Sequence, residues 1–290
     1  KTDTSADTLN LVLNANYIEN NNSTSTVALV TETVDASKIE NLVVTSTGTG
    51  VIGTSVADSA TSAFLGATGN KADSVTNTLA LTDTALVKLT VGGDQAFKFS
   101  TAETMTKLAT IDASSNTAGV TIDASLSAAS SSALSITGTA KADTITSGLG
   151  GDTLTGNGGN DTFIFGASSS PIGSGTFDTI TDFKANTVGN GTNGAADSTG
   201  AVSTATKVNG DILEFVEAGA GTGGVKVGVL NSAADASTYL ATNKDANTVV
   251  VALDATNSNL YVDNTGDGVS DFYIHLTGVT TLDAAAFHLI

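Results

Sequence analysis

Cysteine is absent from this 290-residue chain, so no disulfide can staple the fold and some other tie is needed. Arginine is absent too; all eleven basic residues are lysine. Without arginine forks or a basic stripe, and with a net charge of −18, nucleic-acid binding is excluded. Tryptophan is missing, proline occurs once at Pro171, and only 14% of residues are charged. The two histidines, His275 and His288, form no His-Glu-x-x-His pair, and no Gly-x-Ser-x-Gly occurs. The longest apolar run, Val249–Leu253, falls far short of the ~20 residues of a membrane helix, so no membrane span is expected. Lys1 opens the chain without methionine or an apolar leader, so the sequence reads as the C-terminal portion of something longer.

What the chain has instead is Thr, Ser, Ala, Gly and Val in quantity, an apolar fraction of 40%, and acid carried mostly by Asp beside Gly, Asn or Thr. That is enough apolar surface for a real core in one or two domains. The acid suits cation ligands better than a solvated charged face.

The organising stretch is three nonapeptides without a gap, starting at Gly138, Ser147 and Gly156. Asp143, Asp152 and Asp161 recur at the sixth position, and Ile145, Leu154 and Phe163 at the eighth. A three-residue strand such as Thr153-Leu154-Thr155 needs one inward apolar side chain. The other six residues must turn the chain tightly, and glycine permits the positive φ such turns use. Gly148, Gly150, Gly156 and Gly158 let backbone carbonyls converge, and each Asp adds a carboxylate; hard oxygen ligands of this kind suit Ca²⁺.

This run resembles the RTX nonapeptide, G-G-x-G-x-D-x-U-x, which forms calcium-loaded parallel β-rolls. The third copy fits best; the first has Thr139 and Lys141 where glycines are expected. In that family two nonapeptides make one coil. The resemblance therefore implies that Asp143 and Asp161 share an ion on one edge, while Asp152 faces the other edge and needs a partner from downstream. So short a roll cannot bury a core unaided and must be capped on both sides.

Before residue 135, β-branched runs alternate like strands: Leu9–Leu13, Leu42–Thr45, Leu79–Thr82, Val87–Val91 and Val120–Ile122. Thr110-Ile-Asp-Ala-Ser114 returns verbatim as Thr121-Ile-Asp-Ala-Ser125. Such irregular repeats favour a stacked solenoid over a sandwich. Asp7, Asp35, Asp73, Asp112 and Asp123 are expected to bond backbone N–H groups and shape turns rather than bind calcium. Short helices are possible at Ala60–Leu65 and Thr101–Leu108.

Beyond residue 166, Asp178-Thr-Ile-Thr-Asp-Phe183 and Gly210-Asp-Ile-Leu-Glu-Phe215 resemble the segment that closes RTX rolls. By that resemblance Asp178 and Asp182 are candidate calcium ligands. The Gly/Asn/Ala/Ser-rich stretch between, about Ala185 to Lys207, reads as a long mobile loop. Ser232 to Thr242 reads as a helix with Ser232 as its cap. Strands are expected at Thr248–Leu253, Asn259–Val262 and Asp271–Leu276. Asp263, Thr265, Asp267 and Asp271 match the first part of an EF-hand loop, but Ile274 replaces its final glutamate. Both a short calcium loop and a metal-free hairpin turn fit this pattern.

The expected fold class is all-β: a calcium-loaded parallel β-helix or β-roll with a solenoid-like N-terminal part and a β-rich cap. The expected divisions are residues 1–135, a roll over 136–166, and a capping and secretion-signal region over 167–290. As a whole, the chain resembles the C-terminal portion of bacterial surface-layer proteins of the RTX type. The resemblance implies extracellular placement, export by the type I machinery with the apolar ending as uncleaved signal, and a calcium-dependent homo-oligomeric lattice. It also implies an anchor on cell-surface polysaccharide through a region preceding Lys1. No enzymatic activity is expected. The alternative is the secretion domain of an exported enzyme or adhesin, as in serralysin-like proteases and RTX lipases, with any catalytic domain upstream.

Overall fold

The computed structural model describes residues 7–14, 17–18, 31–35, 39–48, 50–51, 76–101, 105–125, 133–166, 177–185, 210–216, 225–246 and 248–289. Ahead of the nonapeptides lie β1 (Thr8–Asn14), β2 (Tyr17–Ile18), β3 (Thr31–Asp35), β4 (Asn41–Thr47), β5 (Gly50–Val51) and β6 (Thr76–Thr82). They are followed by β7 (Lys88–Gly93), β8 (Ala96–Thr101), β9 (Thr110–Asn116) and β10 (Val120–Asp123). The repeat run holds β11 (Ser135–Thr137), β12 (Thr144–Thr146), β13 (Thr153–Thr155) and β14 (Thr162–Phe165). After it come β15 (Asp178–Ile180), β16 (Ile212–Phe215), β17 (Val225–Leu230), α1 (Ala233–Asn243), β18 (Val249–Asp254), β19 (Asn259–Asp263) and β20 (Phe272–Leu276). A 3₁₀ turn (Ala284–Ala286) and β21 (Phe287–Leu289) end the described chain.

Apart from β2 and β5, successive strands up to β16 alternate between two sheets, which makes a parallel β-roll. The long sheet has 11 strands in the order β1-β4-β7-β9-β11-β13-β15-β20-β19-β18-β17. The short sheet has 8, in the order β21-β16-β14-β12-β10-β8-β6-β3; β2 and β5 form a separate pair. Within the repeats Ser135 pairs with Thr153, and Thr144 with Thr162, so two nonapeptides make one coil. The same sheets run on without a break through β1–β10 on one side and β15, β16, β20 and β21 on the other.

The core is two columns of inward side chains in register. Leu42, Leu89, Ile111, Ile136, Leu154, Ile180 and Leu276 stack beneath the long sheet. Leu79, Phe99, Ile122, Ile145, Phe163, Leu213 and Phe287 stack beneath the short one. All of these are buried, each contributing ~1.5–3 kcal/mol of apolar transfer. The single apolar residue per three-residue strand thus suffices because its neighbours above and below complete its shell.

The roll is closed at its C-terminal end. There β18, β19 and β20 form an antiparallel meander, β17 adds parallel to β18, and β17 comes against β21 and the 3₁₀ turn. Helix α1 packs Ala236 and Leu240 on the outer residues Val250 and Ala252. Its cap is the expected one: Ser232 Oγ accepts the Asp235 N–H at 3.2 Å.

The helix expected at Thr101–Leu108 does not form among the described residues. Thr101 closes β8, and Met105–Leu108 is a tight turn in which the Leu108 N–H donates to Met105 O at 3.3 Å. Met105 and Leu108 are both fully buried, and a turn presents both to the roll's core where an exposed helix would not. The possible helix at Ala60–Leu65, Asp73, and most of the Ala185–Lys207 stretch lie outside the described residues; Ala185 itself bridges to Asp211.

Candidate metal centre

Each repeat brings its aspartate to the point where a turn enters a strand. Stacking then builds two columns. On the short-sheet edge Val120, Asp143, Asp161 and Asp211 lie one above another; on the long-sheet edge, Leu134, Asp152 and Asp178. Every carboxylate reaches back one coil. Oδ1 of Asp143, Asp161 and Asp211 accepts the N–H of Val120, Asp143 and Asp161 at 2.8, 2.9 and 3.0 Å. Oδ1 of Asp152 and Asp178 accepts the N–H of Leu134 and Asp152 at 2.9 and 2.8 Å. A buried N–H needs a partner, and here the next coil's carboxylate supplies it.

These aspartates are 0–3% exposed. Burial therefore pushes their carboxyls up. Asp178 reaches about 8, through desolvation first and the Asp152 charge second. Asp161 reaches about 7, through desolvation and then the charges of Asp211, Asp143 and Asp182. Asp152 reaches about 6 by desolvation. Asp143 and Asp211 are raised by the same cause. The columns are thus short of positive charge at neutral pH, and a divalent cation is the species that would relieve them.

The turns are shaped to approach closely. Gly150 and Gly159 hold the same place in successive copies with φ of +114° and +121°. A side chain on Gly159 would also strike the Lys141–Ala142 backbone. At Gly156 a Cβ would collide with the Asp161 carboxylate. Gly148 donates its N–H to Asp152 Oδ2 at 2.8 Å, and Gly158 donates to Thr139 O at 3.2 Å. In the degenerate first copy Thr139 bonds Asp143 through its N–H at 2.5 Å and its hydroxyl at 3.0 Å.

The structure places Asp143 and Asp161 on one edge, and Asp178 directly below Asp152 on the other. Asp182 holds the N–H groups of Gly156 and Asn157 at 3.0 and 2.7 Å, on the Asp161 side. Two members were not singled out from the sequence. Asp211 continues the Asp161 column, its Oδ2 accepting the Lys184 N–H at 2.7 Å. Its signal was Gly210-Asp211-Ile212-Leu213, which repeats the pattern of Gly151-Asp152-Thr153-Leu154. The other is a copy ahead of Gly138: Ser135-Ile136-Thr137 is a repeat strand whose aspartate position is Leu134.

Asp263, Thr265, Asp267 and Asp271 come together in the β19–β20 hairpin. Asp263 accepts the N–H groups of Gly266 and Gly268 at 2.7 and 2.8 Å. Asp271 Oδ2 accepts those of Asn264 and Thr265 at 2.6 and 2.9 Å, and Asp267 accepts that of Val269 at 2.8 Å. These carboxylates close the loop on its own backbone. Asp112 and Asp123 do likewise, each accepting an N–H two residues on, from Ser114 and Ser125 at 3.1 Å.

Among the described residues no three His, Cys, Asp or Glu side chains converge as a metal cluster. An ion in the columns would therefore draw on one or two carboxylates from adjacent coils together with carbonyls of the glycine turns. That all-oxygen set fits Ca²⁺.

The family model described as RTX calcium-binding nonapeptide repeat (4 copies) matches residues 135–168. It begins at Ser135, so the strand of the copy that lacks the aspartate falls within it. These residues are RTX repeats, which are calcium-binding, and Ca²⁺ is the ion of this segment. No curated protein matches the chain.

Proposed function

We propose that this chain is a structural protein of a bacterial surface layer, exported by the type I route and assembled outside the cell into a calcium-dependent two-dimensional lattice. The reading makes it a building element rather than an enzyme. RTX-repeat proteins are typically secreted, and no helix among the described residues is long and apolar enough to cross a membrane.

The observation that carries the reading is the continuity of the two sheets. The calcium-binding coils are not a tail hung on another fold; they are the middle of one roll whose rungs share both inner columns from β4 to β20 and from β6 to β21. Calcium that orders the middle ties both flanks into a single stiff body, which is what a lattice unit requires. Extracellular calcium sites bind at ~10⁻⁴–10⁻³ M, and a hundredfold saturation of one site adds ~2.7 kcal/mol. Several coupled sites turn export into millimolar Ca²⁺ into a folding signal.

The test is a Ca²⁺ titration of metal-free protein followed by circular dichroism, with electron microscopy of the product. The reading expects β-structure to rise in the sub-millimolar to millimolar range and ordered sheets to form. A chain that folds with calcium yet never yields sheets at high concentration is a secretion domain instead.

A further inference from the structure

The turns of the repeat run do not treat their aspartates alike. In the turn over 138–143 the Asp143 carboxylate accepts three hydrogen bonds. Its Oδ1 takes the Val120 N–H at 2.8 Å and the Thr139 hydroxyl at 3.0 Å, and its Oδ2 takes the Thr139 N–H. In the turn over 156–161 the Asp161 carboxylate accepts one among the described residues, from the Asp143 N–H at 2.9 Å. Yet Asp161, at 2% exposed, sees no more water than Asp143 at 3%.

The reason lies at the second position of each turn, held by Thr139, Gly148 and Asn157. Thr139 and Gly148 give their N–H to Oδ2 of the aspartate in their own turn. Asn157 gives its N–H to Asp182 Oδ2 at 2.7 Å, and the Gly156 N–H goes to Asp182 Oδ1 at 3.0 Å. Asp161 Oδ2, lying against Gly156, is thereby left with no donor among the described residues. A buried carboxylate oxygen without a donor is costly, and a cation relieves it. The Asp211 carboxylate stands beside it, its Oδ1 accepting the Asp161 N–H at 3.0 Å.

The first turn is built otherwise. Thr139 is fully buried, and its hydroxyl accepts the Lys141 N–H at 2.9 Å while donating to Asp143. From the turn below, the Asn157 side-chain amide donates to Gly138 O at 2.9 Å and the Gly158 N–H to Thr139 O at 3.2 Å. These are carbonyls that an ion between the two turns would draw on. Lys141 also lacks the positive φ that Gly150 and Gly159 adopt at the same position, so this turn's backbone differs from theirs.

We propose that the first turn is closed by protein donors instead of an ion, Thr139 and Asn157 taking the bonds that calcium would otherwise make, and that the calcium of this edge is held at the Asp161 turn with Asp211 of the next coil. The boundary between ion-free and calcium-binding corners then falls inside the repeat run, after the turn of Asp143. This replaces the single ion shared by Asp143 and Asp161 that the resemblance implies. It rests on calcium as the ion of this segment and is independent of the surface-layer reading.

The test is equilibrium dialysis of the full chain against radioactive Ca²⁺ at saturation, counting ions per folded molecule. Asp143→Asn is expected to keep the wild-type count, and Asp161→Asn to lose one ion. Thr139→Gly with Lys141→Gly restores the glycines of the repeat, and Asn157→Gly releases Gly138 O. The triple variant is therefore expected to bind one ion more than the wild type. An ion lost in Asp143→Asn, a full count in Asp161→Asn, or an unchanged count in the triple variant overturns the proposal. Should Asp143→Asn fail to fold, the triple variant decides. A wild type that binds no Ca²⁺ would sink the calcium reading itself.

Discussion

The coils before the nonapeptides and the nonapeptides themselves solve one problem with different chemistry. Both must satisfy backbone groups at the corners of a stacked roll. The earlier coils use neutral amides. Asn77 Nδ2 donates to Ser46 Oγ at 2.9 Å and Thr47 O at 3.1 Å. Asn116 donates to Gln95 O at 3.0 Å and accepts the N–H groups of Ala118 and Gly119 at 2.9 and 3.1 Å. The repeats use carboxylates, whose oxygens accept similar bonds but are buried as anions with raised pKa. An amide corner carries no charge that changes with the buffer; a buried carboxylate corner favours a cation or a proton. Any calcium dependence of folding is therefore expected to reside in the carboxylate corners rather than the amide ones.

The strongest way to break this comparison is to remove calcium. In chelator at neutral pH, hydrogen exchange is expected to lose protection across residues 135–168 while amides of β7–β9 remain the better protected. Equal loss in both regions would end the distinction.

Next in size is acidity. A carboxyl raised in the folded state holds its proton more tightly there. Its contribution in metal-free protein is present below the ordinary value near 3.8 and lost as pH rises through the folded values of about 6, 7 and 8 at Asp152, Asp161 and Asp178. Metal-free protein should therefore regain β-structure on acidification from pH 8 towards 4, while the Ca²⁺ concentration needed for folding should rise over the same change, because protons compete for the carboxylates. A calcium midpoint indifferent to pH between 8 and 5 would contradict this.

Single substitutions sharpen it further. Asp161→Ala is expected to raise the Ca²⁺ midpoint about tenfold, equivalent to ~1.4 kcal/mol, and Asp123→Ala to leave it in place. Asn77→Ala should destabilise by ~1–3 kcal/mol to the same extent with or without calcium. Urea melts at several Ca²⁺ concentrations separate the two patterns. The smallest contrast is between neighbouring glycines. Gly159→Ala, at positive φ and against the Lys141 backbone, should lose more than ~1 kcal/mol, whereas Gly158→Ala, whose Cβ would sit 3.5 Å from Ala140 O, should stay within ~0.5 kcal/mol.

Much of this was legible in the residues. The spacing of Asp143, Asp152 and Asp161 and of Ile145, Leu154 and Phe163 specifies a turn-and-strand unit, and Ser232 with Asp235 specifies a helix start. Asp211 was harder to see because a long stretch separates it from Asp182, and only strand pairing returns it to the column. The copy at Ser135 was masked by the loss of its aspartate, which leaves a strand that looks like any other Ser-Ile-Thr. A short helix was possible at Thr101–Leu108, but Met105–Leu108 turns instead and buries both of its large side chains.

Local sequence alone determined the rung, since a nine-residue unit with one aliphatic and one acid has few other ways to turn and extend. Only the tertiary structure decided which rungs become neighbours, that amide and carboxylate coils share two sheets, and that the C-terminal end is closed by the antiparallel meander. Those outcomes depend on contacts between residues distant in the chain, where apolar columns must stay continuous and each buried N–H must find an oxygen on the next coil.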